Sequence, residues 1–315
     1  MVFGVGSRIV AVVVTWNRWE MLARILRAID AQDTRPDGVV VVDNASTDRT
    51  PEVLSELREE LTTPLHVVRL ERNTGGAGGF HVGLATALEM DADLFWLMDD
   101  DGQPPPECLS ALLQHVDRYD FLGPAVVAED DQRRLCFPIR IPGTAKVVHD
   151  LADVERAAVD GLLEDVVIPF NGVLVTRDLV TRIGLPREEF FIWGDDVEYL
   201  WRARRAGARV ATVVPTRFLH PATDALGTPM MFGRTTYNHS PSDLKHYCMV
   251  RNNVTNLREY VGLLGVLAFL VKTVWFYLFT RPQPARLRLS WEALGAARRG
   301  DFTGHQRFLP PAVGQ

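Results

Sequence analysis

Short apolar runs alternate with segments of helical periodicity through the first hundred residues. Residues 8–14 and 38–43 are continuous runs rich in valine, which is typical of parallel strands buried on both faces of a sheet. Between them, residues 18–31 repeat apolar side chains at the three- and four-residue spacing of a helix that buries one face. This order of strand, helix and strand predicts a βαβ unit.

The same alternation continues to residue 98. Residues 65–70 and 93–98 predict two more strands. Thr47-Asp48 predicts the start of a second helix, and residues 80–90 predict a third. Four strands alternating with three helices predict one half of a doubly wound α/β fold.

From about residue 121 the pattern changes to strands and loops rich in proline and glycine. Residues 168–175 predict a strand that crosses back into the sheet, and residues 209–214 predict another. Between these two strands, a helix is predicted from near Asp195 to Gly207. We expect this half of the domain to bind a second substrate.

Residues 261–279 form a long apolar stretch in which Lys272 is the only charged residue. At nineteen residues it is barely long enough to cross a bilayer. A buried core helix is the alternative, and we favour a helix that lies in or against an anionic membrane surface with arginines at the headgroups. The arginines that follow the stretch are Arg281, Arg286, Arg288, Arg298 and Arg299.

The composition indicates a large folded domain and argues against one class of binding partner. The 315 residues are 47% hydrophobic, which is enough for a sizeable core, and the net charge of -6 argues against nucleic acid as the main partner. Residues 251–300 are basic, unlike the chain as a whole, because they contain eight Lys or Arg and two Asp or Glu. The three cysteines form no CxxC pattern, which favours a reducing compartment and argues against structural zinc.

Three adjacent carboxylates, Asp99, Asp100 and Asp101, follow the fourth predicted strand. Carboxylates at the end of a strand present hard oxygen ligands that suit Mg²⁺ or Mn²⁺. An acidic surface turn is the alternative, because Asp beside Gly and Pro is common in turns. The apolar residues up to Trp96 indicate burial next to the triplet, which favours a bound cation.

Two further features follow the second and third predicted strands. Asp43 ends the second strand, where its carboxylate can accept hydrogen bonds from a base or a ribose, or can cap a turn. Residues 73–80 contain four glycines, which let a backbone approach a diphosphate, or form an ordinary glycine-rich turn. Their spacing is neither GxGxxG nor GxxxxGK[ST], which argues against a dehydrogenase or a P-loop.

Asp195 and Asp196 occupy the first turn of a predicted helix, after the apolar segment 190–192. Capping explains one carboxylate, and the flanking aromatic residues favour a pocket in which the other removes a proton from a hydroxyl group. His220 follows a later strand. It is either a third metal ligand at the sheet edge or a structural hydrogen-bonding residue.

This ordered set of motifs resembles family 2 glycosyltransferases of the GT-A fold over residues 8–225. The glycine-rich segment, the additional Asp beside a DxD pair and the segment 193–199 resemble the actinobacterial galactofuranosyltransferases. Chain length and the single C-terminal apolar helix resemble the members that initiate mycobacterial galactan synthesis. The motifs that carry the family resemblance are Thr15-Trp16-Asn17-Arg18, Asp43-Asn44-Ala45-Ser46, residues 73–80, Asp99-Asp100-Asp101 and Gly194-Asp195-Asp196-Val197-Glu198-Tyr199.

The resemblance implies an α/β fold of the GT-A class, with a Rossmann-like, mostly parallel sheet, helices on both faces and a C-terminal helical region. It implies a glycosyltransferase domain over residues 1–225 and a helical, membrane-associating region over residues 226–315. Within the first domain, residues 1–120 form the nucleotide-sugar half and residues 121–225 the acceptor half.

The resemblance also assigns roles to single residues. Asp196 matches the catalytic base, with Asp195 beside it and Trp193 at the acceptor wall. Gly194 departs from the family pattern and leaves the choice between Asp195 and Asp196 open. Apart from the resemblance, we expect Arg251, in the run Arg251-Asn252-Asn253 near the C-terminal helix, to bind the acceptor diphosphate. The implied metal ligands are Asp99, Asp101 and His220, and the implied donor-binding residues are Thr15, Asn17, Arg18, Asp43, Asn73, Gly75, Gly76, Asp99 and Asp100.

The implied reaction is an inverting, metal-dependent transfer of galactofuranose from UDP-galactofuranose to a polyprenyl-diphosphate-linked GlcNAc-rhamnose acceptor. The reaction would start cell-wall galactan at the cytoplasmic face of the plasma membrane, to which the protein would bind peripherally. The protein either acts as a monomer or forms a homo-oligomer. A rhamnosyltransferase that uses dTDP-rhamnose is one alternative. A noncatalytic nucleotide-sugar-binding scaffold at the membrane is another.

Overall fold

The structure is a computed structural model that describes residues 6–144, 146–222 and 227–309. The chain forms two compact units. The first contains Met1–Pro186 and Arg202–Ala222, and the second contains Arg187–Trp201 and Thr223–Gln315. The predicted domain boundary at residues 225 and 226 lies outside the described residues.

The first unit is built on a sheet that has ten strands in the described part of the chain. Its main path runs β3-β2-β1-β4-β9-β5-β10-β8, and β6 and β7 extend it from β5. The pairs among the first four strands are parallel, whereas β9 runs antiparallel to β4 and β5. The strands are β1 (Ile9–Thr15), β2 (Gly38–Asp43), β3 (Leu65–Arg69), β4 (Leu94–Asp99), β5 (Phe121–Ala128), β6 (Arg134–Arg140), β7 (Val147–Asp150), β8 (Leu162–Glu164), β9 (Asn171–Thr176) and β10 (Val210–His220).

Helices cover both faces of this sheet, as the α/β prediction requires. Every residue of β1 and β2 is buried, which explains why both strands are continuous valine-rich runs rather than alternating patterns. The predicted first helix is confirmed, with Leu22, Ile25 and Ile29 among its buried residues. The helices of the first unit are α1 (Trp19–Asp30), α2 (Thr50–Glu60), α3 (Gly75–Glu89), α4 (Cys108–Leu113), α5 (Leu151–Ala157) and α6 (Arg177–Ile183). Helix α7 (Asp195–Arg205) begins in the second unit, and its last residues belong to the first.

The glycine-rich segment differs from its prediction. Helix α3 begins at Gly75, so most of this segment is the first turns of the helix rather than a loop before it. A Cβ atom at Gly79 would collide with Val14, and one at Gly83 would collide with Val12. Both valines lie on β1, so these glycines let α3 pack closely against the sheet.

The second unit is mainly helical, with a short hairpin. Its core contains aromatic side chains that include Phe191, Tyr237, Tyr247 and Phe276. Aromatic residues bury large apolar areas, which suits a small unit of few helices. Its elements are β11 (Thr228–Met230), β12 (Thr235–Tyr237), α8 (Asp243–Tyr260), α9 (Leu263–Trp275), a π-helical turn (Phe276–Thr280) and α10 (Pro284–Arg299).

The predicted apolar helix forms as α9 and continues into the π-helical turn. By length and composition alone, Leu263–Thr280 could cross a membrane, and 17% of it is buried. A core helix of a soluble protein is mostly buried, so the core-helix alternative does not fit this exposure. The exposed apolar residues of this region include Leu263, Leu264, Leu267, Val271 and Phe279.

Candidate active site

The first candidate cluster lies in the first unit, at the carboxyl ends of β1, β2 and β4. Thr15 pairs in register with Asp43, and Val14 pairs with Asp99. Parallel pairing therefore brings the ends of three predicted strands to one sheet edge, where open α/β folds bind ligands. Asp99 itself ends β4 and is partly exposed.

Asp100 is held by two of the other predicted donor-binding residues. Its carboxylate accepts a hydrogen bond of 2.7 Å from the Thr15 hydroxyl and one of 3.1 Å from the Arg18 guanidinium. Burial raises the pKa of Asp100, and the charge of Arg18 acts against that rise. Arg18 also donates a hydrogen bond of 2.9 Å to Asp101, so it holds the acidic turn against the end of β1.

Asp101 and His220 meet at this edge, because β10 ends at His220. Nε2 of His220 lies 3.2 Å from Oδ1 of Asp101. That oxygen is buried and accepts no well-formed hydrogen bond from any residue that the structure describes. On the other side of the ring, Nδ1 lies 2.8 Å from the Pro221 carbonyl and 3.3 Å from Sγ of Cys136, which orients Nε2 toward Asp101.

The two groups are electrostatically linked. Burial lowers the pKa of His220, but its close contacts with the Asp101 carboxylate and with Cys136 outweigh that effect and raise it to about 10. The pKa of Asp101 is lowered, because the effects of His220 and Arg18 exceed that of its burial.

The side chains fit the predicted cation, although they do not form a complete cage. Among the described residues, no group of three or more His, Cys, Asp or Glu is arranged to hold a metal ion. Asp101 supplies a buried carboxylate oxygen without a hydrogen bond, and His220 supplies a ring nitrogen directed at it. Mg²⁺ commonly takes only one or two carboxylates and completes its shell with water and substrate phosphates.

Asp43 has the turn role that we named as its alternative. It is buried, and its Oδ1 accepts a hydrogen bond of 2.9 Å from the Ser46 backbone N–H. Its Oδ2 lies 3.7 Å from the Arg69 guanidinium. Asn17 joins the same loops, because its N–H donates to Ser46 and its side-chain oxygen accepts from Thr47.

The start of α3 completes this edge. Asn73 accepts a hydrogen bond of 2.7 Å from the Gly75 N–H, and Gly75 has a φ of 73°. Gly76 has open space where a side chain would lie. Open space at a helix N-terminus is compatible with a bound anion such as a diphosphate.

The sequence analysis assigned no role to several residues of this cluster. Asn44 accepts from the Thr74 N–H and donates to the Gly75 carbonyl, which ties β2 to the start of α3. Arg69 ends β3 beside Asp43, and Cys136 contacts His220 from β6. A signal was present for Arg69, because it stands at the end of a predicted strand, whereas the position of Cys136 depends on tertiary structure.

The second candidate cluster, residues 190–196, lies in the second unit. Asp195 and Asp196 form the first turn of α7, where the helix dipole favours negative charge. Burial and the neighbouring Asp196 raise the pKa of Asp195 to about 8. Burial also raises the pKa of Asp196, whose Oδ1 accepts a hydrogen bond from the Val197 N–H. Two such carboxyl groups can hold one proton between them at neutral pH.

The structure gives Arg251 a role that differs from its prediction. Its side chain is fully buried, and burial lowers its pKa. The guanidinium donates to the carbonyl oxygens of Phe190 (2.8 Å) and Phe302 (3.0 Å) and to Oδ1 of Asn252 (2.9 Å). Arg251 thus forms hydrogen bonds in the interior of the second unit, and its side chain is not exposed to bind an acceptor diphosphate. Trp193 is partly buried against the core of the same unit.

Residues 10–165 match the family model for glycosyl transferase family 2. Galactofuranosyltransferase GlfT1 of Mycolicibacterium smegmatis is 35% identical over 284 residues, which cover 88% of this chain and 92% of that protein. GlfT1 of Mycobacterium tuberculosis is 33% identical over 298 residues, which cover 92% and 94%. The dTDP-rhamnosyl transferase RfbF of Shigella flexneri is 24% identical, over 82% of this chain and 83% of that protein.

Solved structures share the fold. TarS 1–349 of S. aureus, in complex with UDP-GlcNAc, matches with a TM-score of 0.57 and 16% identity, over 95% of this chain and 89% of that one. The mannosyltransferase PcManGT from Pyrobaculum calidifontis, in complex with GDP-Man and Mn²⁺, matches with a TM-score of 0.53 and 20% identity, over 95% and 77%. These likenesses confirm the predicted GT-A fold. The family match and the long alignments with GlfT1 show that the chain is a glycosyltransferase of family 2 and belongs with its galactofuranosyltransferases.

Proposed function

We propose that the protein is an inverting, metal-dependent galactofuranosyltransferase. It moves galactofuranose from UDP-galactofuranose to a polyprenyl-diphosphate-linked GlcNAc-rhamnose acceptor and so starts cell-wall galactan. The observation that supports this most is the meeting of Asp101 and His220 at the carboxyl edge of the sheet, in a chain that is 35% identical to a GlfT1. A DxD-type carboxylate beside a histidine suits a cation that binds a nucleotide diphosphate.

The donor is assigned to the sheet edge of the first unit. Asp43 and the loops joined by Asn17 lie where the base and ribose would bind, and Gly76 at the start of α3 suits a diphosphate. TarS, which shares the fold, was solved with UDP-GlcNAc. The proposed donor-binding residues are Thr15, Asn17, Arg18, Asp43, Asn73, Gly75, Gly76, Asp99 and Asp100.

Asp99, Asp101 and His220 are the proposed holders of Mg²⁺ or Mn²⁺. When bound, the cation supplies charge stabilisation to the departing UDP. Arg18 lies within hydrogen-bonding distance of both Asp100 and Asp101, so it keeps the acidic turn in place before donor and cation arrive.

Asp196 is the proposed base, and Asp195 is its proton-holding neighbour. Asp196 takes the proton of the acceptor hydroxyl as that oxygen forms its bond to the anomeric carbon, and the bond from that carbon to the UDP oxygen breaks. Attack opposite the leaving group inverts the anomeric centre. Burial raises the pKa of Asp195 to about 8, which favours its protonated form at neutral pH and suits the role of proton holder.

The membrane is the proposed location of the acceptor. The exposed apolar residues of α9 include Leu263, Leu264 and Leu267, and arginines follow in Arg281 and Arg288. A helix of this kind binds in the interface of an anionic bilayer. This surface supports a peripheral position on the membrane, and the proposed side is the cytoplasmic face. Leu264→Glu should weaken sedimentation with phosphatidylglycerol vesicles about tenfold, while the matched change Val159→Glu, at an exposed residue of the first unit, should not.

The test of the whole proposal is a donor panel on a synthetic prenyl-diphosphate GlcNAc-rhamnose acceptor, with products read by mass spectrometry. Transfer from UDP-galactofuranose and not from dTDP-rhamnose is expected. The similarity to RfbF makes dTDP-rhamnose the informative competitor. Transfer from dTDP-rhamnose alone would replace the proposal with a rhamnosyltransferase, and UDP binding without turnover on any donor would indicate a noncatalytic scaffold.

A further inference from the structure

The loop that leads into Asp195 has an unusual backbone. Phe191, Trp193 and Gly194 have φ angles of 66°, 73° and 85°. The left-handed region is costly for residues with a side chain, and aromatic residues are rarely found there. Such a backbone persists only where its surroundings fix it.

Two asparagines of α8 fix this loop. Nδ2 of Asn252 donates to the carbonyl oxygens of Trp193 (2.7 Å), Phe190 (3.0 Å) and Ile192 (3.2 Å). The two amide hydrogens are thus shared among three carbonyl groups of one short loop. The Asn252 side chain is fully buried, so these bonds form without competition from solvent.

Asn256 lies one helical turn after Asn252 and contacts the carbonyl group at which α7 begins. Its Nδ2 donates to the Gly194 carbonyl at 2.8 Å. The same carbonyl accepts the Glu198 N–H at 3.0 Å, which is the first helical hydrogen bond of α7. Asn256 therefore fixes the atom from which the helical turn of Asp195 and Asp196 is built.

A third hydrogen bond lies one further turn along α8. The Tyr260 hydroxyl donates to Oε1 of Glu198 at 2.6 Å, in the first turn of α7. Asn252, Asn256 and Tyr260 are spaced at i, i+4 and i+8, so they lie on one face of α8. We call these three residues the α8 polar row.

We propose that the α8 polar row consists of positioning residues for the Asp195-Asp196 pair, which they orient through the loop backbone and the first turn of α7. The kinetic part of this inference rests on the proposed function, whereas its structural part does not. None of the three is assigned a contact with donor or acceptor. Their role is to hold the carboxyl pair in the one arrangement that suits proton removal, because small displacements of a catalytic group cost large factors in rate.

The decisive variants are Asn252→Asp and Asn256→Asp. Each keeps the size and shape of the side chain but replaces the NH₂ donor with an oxygen that faces carbonyl oxygens. Asn253→Asp is the matched control, because it makes the same chemical change on the same helix. Among the described residues, Asn253 has no hydrogen bond to the loop. Tyr260→Phe removes one hydroxyl with little change of shape and covers the case in which an Asp variant fails to fold.

The first measurement is hydrogen–deuterium exchange of peptides that span residues 190–197, which needs neither donor nor acceptor. Faster exchange there in Asn252→Asp and Asn256→Asp, with unchanged exchange in Asn253→Asp and in the strands of the first unit, is expected. Unchanged exchange at 190–197 in both variants, or in Tyr260→Phe if neither folds, would overturn the proposal. This result stands even if wild-type protein transfers no galactofuranose, an outcome that would defeat the proposed function instead.

The second measurement separates positioning from general destabilisation. With UDP-galactofuranose and the synthetic acceptor, kcat should fall about 100-fold in Asn252→Asp and Asn256→Asp, the cost of a displacement of about 1 Å. The KM for UDP-galactofuranose and the UDP affinity by calorimetry should match those of Asn253→Asp. A loss of kcat with an equal loss of UDP affinity, or an unchanged kcat in both variants, would contradict a positioning role.

Discussion

Nε2 of His220 faces Oδ1 of Asp101 across 3.2 Å, although the two residues come from distant parts of the chain. The contact forms because β10 runs parallel to β5 on one side of the sheet while β4 ends at the acidic turn on the other side of β9. An imidazole and a carboxylate placed in this way can pair with each other or share a cation.

The shared-cation interpretation predicts that nucleotide binding depends on both residues. Asp101→Ala and His220→Ala should each weaken UDP binding in Mn²⁺ at least about tenfold, since each removes a ligand of the cation. Titration calorimetry with and without Mn²⁺ measures this. His115→Ala, at a partly exposed residue after α4, is the control. If wild-type protein binds UDP equally well with and without Mn²⁺, the metal assignment is wrong.

The two neighbouring aspartates should respond differently to the same substitution. Asp196→Asn should lower kcat about 10²- to 10⁴-fold, because it removes the general base, while UDP affinity is retained. Asp195→Asn should lower kcat by a smaller factor, because an amide resembles the protonated carboxyl group that the raised pKa of Asp195 favours. Single-turnover assays on both variants test the assignment, and a larger loss in Asp195→Asn would reverse the two roles.

The raised pKa of Asp195 also predicts how stability depends on pH. Between about pH 4 and pH 8 the carboxyl group is protonated in the folded protein and ionised in the unfolded chain, so the unfolded state binds fewer protons and stability falls as pH rises. Asp195→Asn lacks this loss. In urea unfolding, the free energy of unfolding of Asp195→Asn relative to that of wild type should therefore rise between pH 4.5 and pH 8. The expected rise is at least about 1.4 kcal/mol, the equivalent of one pKa unit. A constant difference across that range would argue against a buried, protonated Asp195.

The close packing of α3 on β1 predicts opposite effects at two glycines of one helix. Gly79→Ala should destabilise the protein by about 1–3 kcal/mol, because the added methyl group collides with Val14. Gly76→Ala meets open space and should be neutral or stabilising by up to about 1 kcal/mol through helix propensity. Denaturant unfolding of both variants measures this. Equal effects at the two positions would mean that packing is not the reason for the glycines.

Local patterns predicted much of the first unit. The buried valine runs of β1 and β2 and the apolar face of α1 are set by neighbours in sequence, so periodicity was sufficient to place them. The end of β4 at the acidic turn followed in the same way. The start of α3 was placed too late, because glycine has a low helix propensity and only the contact with β1 explains its use there.

Side chains that depend on tertiary surroundings were harder to interpret. Arg251 was expected to bind the acceptor diphosphate, yet Arg251 and Asn252 are buried and directed at the loop before Asp195. Nothing within α8 indicates this, because the carbonyl groups that they contact belong to residues 190–194. The role of Asp43 was ambiguous for a similar reason, since its partner Arg69 lies on another strand.

The exposed side of α9 has a practical consequence for handling the protein. Leu263, Leu264 and Leu267 each expose more than half of their side-chain surface, and Val271 lies further along the same helix. In dilute buffer such a hydrophobic ridge promotes self-association. We expect the purified protein to aggregate as its concentration rises and to become monodisperse when a mild detergent coats this ridge.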